Sequence, residues 1–180
     1  YLGGPNGCSQ LISPQDKEIA HLIEQISKSE TFSSIEHSSD YQSLGQSEID
    51  SYVARAASLV EKISSDRANL KITHTSLHGV GWSVVEKLFG VTGFQVSPVP
   101  QQMNPDSSFP TVSFPNPEES GAMDLAYSFA SQSACDLILA NDPDADRLAV
   151  AVPEGDGWRM LTGDQVGLIK AAYSVKLFIV

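Results

Sequence analysis

The stretch Asn141-Asp142-Pro143-Asp144-Ala145-Asp146-Arg147 decides the fold of this 180-residue chain, because it separates two apolar runs. Residues 136–140 precede it and residues 148–152 follow it, and both runs are short enough to be buried strands. Pro143 fixes its own φ and disfavours helical backbone at Asp142. The sequence therefore predicts a stiff acidic turn between two strands.

Three carboxylates occupy alternate positions of this turn, at Asp142, Asp144 and Asp146. Carboxylates crowded on a stiff turn repel one another unless a cation lies between them, and hard oxygen ligands favour Mg²⁺ or Ca²⁺. The turn is not an EF-hand loop, because Arg147 stands where that loop needs glycine and Pro153 where it needs glutamate. We expect a divalent-cation site of another kind.

Arg147 suggests what the cation site is for. A guanidinium offers a fixed charge and a forked array of donors, which suits a phosphate group beside a metal. The alternative is a solvated acidic turn in which Arg147 pairs with a neighbouring aspartate. Both interpretations stay open at this point, and the flanking strands favour the metal site.

The remaining pattern predicts a layered α/β/α domain with a mixed sheet. Strands are expected over residues 70–75, 94–99, 136–140 and 148–152, with a hairpin through Glu154-Gly155-Asp156-Gly157. Helices are expected from about Ser47, over residues 82–89 with Gly90 at the end, and over residues 120–132. The first of these is expected to pack on the core through one face, which comprises Ile49, Tyr52, Val53, Ala56, Val60 and Ile63. Ligands of such sheets collect at the carboxyl ends of the strands, where the acidic turn lies.

Two further helices are predicted at the ends of the chain. Ser13 is expected to cap the first, whose apolar face comprises Ile19, Leu22, Ile23 and Ile26. Thr162 and Gln165 have the spacing of a capping box for the last, whose apolar face comprises Val166, Ile169 and Tyr173. Residues 29–45 are rich in serine and acidic residues and are interpreted as a linker or surface loop.

Other local features receive structural interpretations. The turn Ser76-Leu77-His78-Gly79-Val80-Gly81 is expected to connect a strand to a helix, with anion binding at the helix start as the alternative. His78 is expected to be a structural hydrogen-bonding group. Five prolines between residues 100 and 117 predict a long irregular crossover, and Glu118 and Glu119 are expected to bias the start of the next helix.

Composition limits the partners. The net charge of −11 argues against nucleic acid and anionic membrane. No apolar run is long enough to span a membrane. Cys8 and Cys135 lack the spacing of a metal site, so we expect reduced thiols and a cytoplasmic protein. The chain begins with tyrosine and ends on an apolar tail, and we interpret it as a piece of a longer protein.

The acidic turn resembles the metal-binding loop of the α-D-phosphohexomutase superfamily, and most of all that of the eukaryotic phosphoglucomutase-2 type, the phosphoglucomutase/phosphopentomutase branch. The turn with its flanks reads Ala140-Asn141-Asp142-Pro143-Asp144-Ala145-Asp146-Arg147-Leu148-Ala149-Val150. Residues 75–81 and residues 109–119 also resemble the family, in the family's order, and the likeness fades after about Tyr173.

The resemblance implies a phosphosugar mutase. Asp142, Asp144 and Asp146 would hold one Mg²⁺ that binds a phosphoserine oxygen, and Arg147 would contact the same phosphate. A phosphoserine would exchange phosphate with a hexose or pentose through a sugar bisphosphate. The family's Ser-His-Asn-Pro loop is absent from these residues, so no catalytic residue is expected in the chain, which we expect to be inactive alone.

The resemblance also implies a domain plan. Residues 1–40 would end the first mutase domain, residues 41–162 would form the metal-binding second domain, and residues 163–180 would begin the third. The remaining mutase domains would be the partners of this chain. Two other hypotheses stay open, which are a HAD-like phosphatase with an aspartate nucleophile and a non-enzymatic module that binds a divalent cation.

Overall fold

The computed structural model describes residue 7, residues 9–60 and residues 69–178. The chain divides into two compact units, Tyr1–Ser43 and Leu44–Val180. The first unit contains helix α1, Gln15–Ser29, and a short 3-10 turn at Phe32–Ser34. Apart from that turn, residues 30–45 form neither helix nor strand, in agreement with the predicted loop.

The second unit alternates helices and strands. Its helices are α2 (Gln46–Ala57), α3 (Trp82–Thr92), α4 (Asp124–Gln132) and α5 (Gly163–Phe178). Its strands are β1 (Lys71–Thr75), β2 (Gln95–Pro98), β3 (Leu137–Ala140), β4 (Ala149–Glu154) and β5 (Gly157–Met160). This arrangement confirms the α/β fold class.

The five strands form one mixed sheet in the order β2-β1-β3-β4-β5. Strand β1 pairs in parallel with β2 and β3, whereas β4 pairs antiparallel with β3 and β5. The chain moves outward from β1 to β2 and then crosses back to β3. Because such crossovers are right-handed, the helices of these two connections belong on opposite faces of the sheet.

The hydrophobic core lies between α4 and the sheet. Ala126 and Ala130 of α4 pack with Ile138, Ala140 and Ala151, and all five side chains are fully buried. Small residues on both surfaces allow the helix backbone to approach the strands closely. This packing fixes the position of β3, and therefore the point at which the acidic turn begins.

Three predicted helix boundaries are wrong. Helix α3 continues through Gly90 to Thr92 and ends at Gly93, whose φ of 81° is the left-handed conformation that glycine adopts most easily. Helix α4 begins at Asp124, so Glu118 and Glu119 lie in the preceding turns and not at a helix start. The cap of α1 is Pro14, without a side-chain hydrogen bond from Ser13.

The capping box of α5 is present as predicted. The Thr162 amide donates to Gln165 Oε1 at 3.0 Å, and the Gln165 amide donates to Thr162 Oγ1 at 3.3 Å. The apolar face of α2 was expected to pack on the core, and this prediction is only partly confirmed. In α2 only Val53 is buried. Apolar side chains are also exposed on all three helices, and they include Leu22 and Ile23 of α1, Ile49 and Tyr52 of α2, and Ile169 and Tyr173 of α5.

Cys135 is a free thiol, and it accepts a hydrogen bond from the Thr73 hydroxyl at 3.1 Å. Cys8 and Ile63, for which the sequence also made predictions, lie outside the described residues. Among the described residues, each helix is too short or too polar to cross a lipid bilayer. The cytoplasmic location stays a prediction.

Candidate metal centre

The acidic loop, residues 141–147, connects the end of β3 to the start of β4. Ala140 and Ala149 are antiparallel partners, so the loop leaves and re-enters the sheet at neighbouring positions. The Ala145 amide donates to the Asp142 carbonyl at 3.0 Å, and Ala145 has a φ of 60°. A left-handed residue that is not glycine is uncommon, and it bends the loop back toward its own start.

The loop brings the three predicted carboxylates together. One carboxylate oxygen from each of Asp142, Asp144 and Asp146 lies within 4.8 Å of the other two. Asp142 is 9% exposed, while Asp144 and Asp146 face solvent. Among the described residues this is the one group of three acidic, histidine or cysteine side chains with such spacing.

The crowding of negative charge is visible in the pKa of Asp146. The neighbouring Asp144 carboxylate raises this pKa above the ordinary value for aspartate, and burial and the Asp142 carboxylate act in the same direction. The Arg147 charge opposes the shift without cancelling it. A divalent cation between the carboxylates would remove this repulsion, because it favours their ionised forms.

The dimensions of the cluster fit a small hard cation. Mg²⁺ holds oxygen ligands at about 2.0–2.1 Å, so adjacent ligand oxygens are roughly 3 Å apart and opposite ones about 4.2 Å apart. The observed spacing of up to 4.8 Å is close to these values.

Arg147 lies beside the carboxylates. Its Nε is 3.6 Å from Asp142 Oδ2 and 3.9 Å from Asp146 Oδ1, and its side chain is 61% exposed. Both distances are long for an ion pair, and exposed pairs of this kind contribute little to stability. Arg147 therefore does pair with its neighbouring aspartates, as the alternative interpretation expected. These contacts are weak, and a phosphate group could replace them.

A second loop, residues 76–81 after β1, is packed against the acidic loop. The Val80 amide donates to the Pro143 carbonyl at 2.9 Å. A Cβ atom at Gly79 would overlap the Pro143 backbone, and one at Gly81 would lie 3.3 Å from the Ala145 Cβ. The two glycines thus permit the close approach of the two loops.

This packing occupies three backbone amides of residues 76–81 that an anion would need. The amides of His78, Gly79 and Val80 donate to the carbonyls of Gln102, Ser76 and Pro143. Because these three amides have backbone partners, they do not form an open anion cradle. The loop is a buried strand-to-helix turn that supports its acidic neighbour.

Buried polar residues hold both loops in place, and sequence reasoning missed most of them. Thr75 donates its hydroxyl to Gln102 Oε1 at 2.6 Å, and Gln102 Nε2 donates to Thr111 Oγ1 at 2.9 Å. The His78 ring lies 2.8 Å from the same Thr111 oxygen, which agrees with its expected structural role. These bonds tie the proline-rich crossover to the end of β1.

His74 and Asn141 form a second polar link that the sequence did not reveal. His74 Nε2 lies 2.9 Å from Asn141 Oδ1, and Asn141 Nδ2 donates to the Arg147 carbonyl at 2.6 Å. Burial lowers the pKa of His74, although the hydrogen bond with Asn141 acts against the shift. The alternation of β1 predicts which side chains face inward, but not that a histidine among them reaches the next loop.

A cleft of about 380 Å³ adjoins this assembly. It is lined by Tyr52 of α2, by residues of α3 and by Asn141 and Asp144 of the acidic loop. The carboxyl end of β3 therefore combines an acidic cluster, an arginine and an open space within one unit of the chain. In open α/β sheets, this end of the strands is where ligands bind.

Comparisons with known proteins agree with this arrangement. Residues 50–155 match the family described as phosphoglucomutase/phosphomannomutase, alpha/beta/alpha domain II. The fold is similar to that of a phosphoglucomutase/phosphomannomutase family protein from Burkholderia thailandensis, with a TM-score of 0.59 and 21% identity over 82% of this chain and 29% of that one. At this level of identity the likeness shows the fold alone.

Curated relatives extend the comparison. A probable phosphomannomutase of Haemophilus influenzae is 42% identical over 99% of this chain and 36% of its own length. Human phosphopentomutase is 46% identical over 56% of this chain and 17% of its own length. Human glucose 1,6-bisphosphate synthase is 36% identical over 89% of this chain and 27% of its own length.

The chain thus spans about a third of the length of the curated relatives that it matches, or less. The matched family region runs from α2 to the end of β4 and contains the acidic loop and the loop that supports it. The family resemblance inferred from residues 140–150 is confirmed. From the match of residues 50–155 we conclude that this chain belongs to the phosphoglucomutase/phosphomannomutase family.

Proposed function

We propose that this chain is the cation-binding part of a phosphosugar mutase. The complete enzyme would move a phosphoryl group between the 1-position and the terminal hydroxyl of a hexose or pentose, through a phosphoserine and a sugar bisphosphate. The support is family membership together with relatives named as a phosphomannomutase, a phosphopentomutase and a glucose 1,6-bisphosphate synthase. Those names concern both hexose and pentose phosphates and leave the sugar open.

The observation that carries this proposal is the convergence of three carboxylates beside an arginine at the carboxyl end of β3. Asp142, Asp144 and Asp146 would hold one Mg²⁺, and their oxygen donors and spacing fit that ion. When bound, the ion would offset negative charge on phosphate oxygens, which is the main electrostatic demand of phosphoryl transfer.

The side chains of this chain would bind and orient the phosphate group. Arg147 would leave its long contacts with Asp142 and Asp146 and donate to phosphate oxygens, for which its forked donors are suited. Asp142 differs from its neighbours because it is buried and because its Oδ1 accepts the Arg147 amide at 3.1 Å. It would therefore anchor the cluster, while the exposed Asp144 and Asp146 adjust to the ligand.

The rest of the enzyme would come from sequence outside these residues. Residues 1–40 would close the first domain, residues 41–162 would form the second, and residues 163–180 would begin the third. The phosphoserine belongs to a loop that these 180 residues do not contain. The 180-residue chain alone would therefore have no mutase turnover.

A mutase assay of the full-length protein tests the proposal. The assay would use hexose 1-phosphate and pentose 1-phosphate in separate reactions, with Mg²⁺ and a sugar bisphosphate activator. We expect turnover of at least one sugar, loss of turnover after chelation, and recovery with Mg²⁺. Arg147→Ala should lower kcat, because Arg147 would contact the phosphoserine phosphate, whereas Arg159→Ala, a matched exposed arginine of the hairpin, should not.

Two outcomes would contradict the proposal. Release of inorganic phosphate without isomerised sugar, with a phospho-aspartate trapped by beryllofluoride, would indicate a phosphatase. Binding of a divalent cation without any reaction of sugar phosphates in the full-length protein would indicate a non-enzymatic module. Turnover by the 180-residue chain alone would contradict the assignment of the phosphoserine to another segment.

A further inference from the structure

We propose that His74 is a positioning residue for the acidic loop, and that it acts through Asn141. This inference rests on the proposed function, because it concerns the geometry of the same carboxylates. His74 lies in β1, far in sequence from the loop, and its side chain is 1% exposed. Its ring reaches across the sheet to the first residue of the loop.

The hydrogen bonds around Asn141 determine the direction of this link. Asn141 Nδ2 donates to the Arg147 carbonyl at 2.6 Å, so Asn141 Oδ1 is the acceptor that faces His74. His74 Nε2, at 2.9 Å, must therefore carry the proton and donate it. The link runs from β1 through one amide to the last residue of the loop.

Asn141 joins the two ends of the acidic loop through hydrogen bonds. Its own amide donates to the Thr75 carbonyl at 3.0 Å, which fixes its backbone to the end of β1. Its side chain then joins Asn141 to Arg147, the first and last residues of the loop. The Arg147 amide in turn donates to Asp142 Oδ1 at 3.1 Å, so the position of Arg147 also sets the position of a cluster carboxylate.

The environment of His74 indicates that it is not an ordinary core residue. Its Nδ1 is buried and has no hydrogen-bond partner among the described residues. A buried polar atom without a partner costs free energy, and an apolar side chain of similar size would avoid that cost. The ring also lies 5.7 Å from the Trp82 ring, measured between centroids. What the histidine adds here is a directed donor toward Asn141.

Three substitutions in the full-length protein separate positioning from simple packing. His74→Leu removes the donor, while His74→Gln keeps a donor at a similar distance along the side chain. Val99→Ala is the matched control, because Val99 is fully buried in the core and makes no hydrogen bond with the loop through its side chain. Asn141→Ala removes the hydrogen bond with His74 from a partly exposed position. This variant tests the positioning role if His74→Leu does not fold.

The first measurement is amide hydrogen exchange over residues 141–148 in the metal-free protein. We expect the amides of this segment to exchange at least about 10-fold faster in His74→Leu and Asn141→Ala, because the hydrogen bonds that hold the ends of the loop are weakened or lost. His74→Gln should remain close to the wild type, and Val99→Ala should not change this segment selectively. Equal exchange in His74→Leu and the wild type would overturn the inference, as would equal loop effects of His74→Leu and Val99→Ala.

The second measurement is Mg²⁺ affinity by calorimetry. Loss of a residue that orients metal ligands lowers affinity by about 10–100-fold. We expect a loss in this range for His74→Leu and Asn141→Ala, and rescue by His74→Gln. A wild-type protein that binds no divalent cation contradicts the proposed function, whereas the exchange experiment still tests His74. Unchanged affinity in His74→Leu and Asn141→Ala, beside clear wild-type binding, contradicts the positioning role alone.

Discussion

Strand β4 connects two acidic turns that look alike in sequence and differ in structure. At its start, the acidic loop is held by strand β1 and by the loop that follows β1, through His74, the Thr75 carbonyl and the Val80 amide. At its end, the hairpin turn from Glu154 to Gly157 is exposed and is closed within its own two strands. Two runs of carboxylates at the ends of one strand therefore differ in the support that the rest of the domain gives them.

The difference lies in where each turn gets its hydrogen bonds. The Glu154 carboxylate pairs with Arg159 at 2.7 Å on the next strand, and a Cβ at Gly155 would have open space around it. The acidic loop instead has a buried aspartate, a left-handed Ala145 and a glycine pressed against Pro143. Support from distant segments costs conformational freedom, and it holds like charges together that would otherwise separate.

The largest expected effect comes from neutralising one carboxylate of the acidic loop. Asp144→Asn should weaken Mg²⁺ binding by on the order of 100-fold, because a charged oxygen ligand is lost. The measurement is calorimetric titration. Asp156→Asn removes the same charge from the hairpin turn and should change the affinity less than about 2-fold. Similar losses in both variants would show that general charge, and not the cluster, attracts the ion.

A smaller effect is expected from closing the gap between the two loops. Gly79→Ala places a methyl group on the Pro143 backbone, and we expect a loss of about 1–3 kcal/mol in the free energy of unfolding, as for other overpacked sites. Urea denaturation measures this loss. Gly90→Ala, in α3 with open space around it, should instead stabilise by about 0.5–1 kcal/mol. If Gly79→Ala is as stable as the wild type, the contact between the loops is not tight.

The smallest predicted effect is a dependence of stability on pH. Burial lowers the pKa of His74 in the folded state below its value near 6.5 in the unfolded chain. The unfolded state then binds more protons below pH 6.5, so stability should fall as the pH drops below that value and level off above it. The measurement is the free energy of unfolding between pH 7.5 and 5.5. The difference between wild type and His74→Gln isolates this histidine, and parallel pH curves would contradict the prediction.

The sequence predicted the architecture well because local patterns were consistent. Each of the four strands named at the outset begins and ends within two residues of its expected bounds, and the capping box at Thr162 forms as expected. Errors occurred where local signals compete. Gly90 was a poorer stop signal than Gly93, because Gly93 adopts the left-handed conformation and the α3 backbone tolerates an internal glycine.

The exposed helix faces illustrate a different limit. The spacing of Ile19, Leu22, Ile23 and Ile26 correctly predicted a helix, but these side chains remain exposed. Periodicity shows that a face is apolar, and it does not show what covers that face. The pattern therefore predicted the helix and left the partner of its apolar face open.

By itself, the sequence determined that three carboxylates and an arginine occupy one stiff turn between two strands, since alternation, proline and apolar flanks are local properties of the chain. Only the tertiary structure decided that Asn141 joins the two ends of this turn, that Gly79 packs against Pro143 and that His74 forms a hydrogen bond with Asn141. The contacts of the loop with His74 and Gly79 connect residues more than 60 positions apart, and they depend on β1 and β3 lying side by side in the sheet. Pairing between distant strands is set by the packing of the whole domain, which no local pattern specifies.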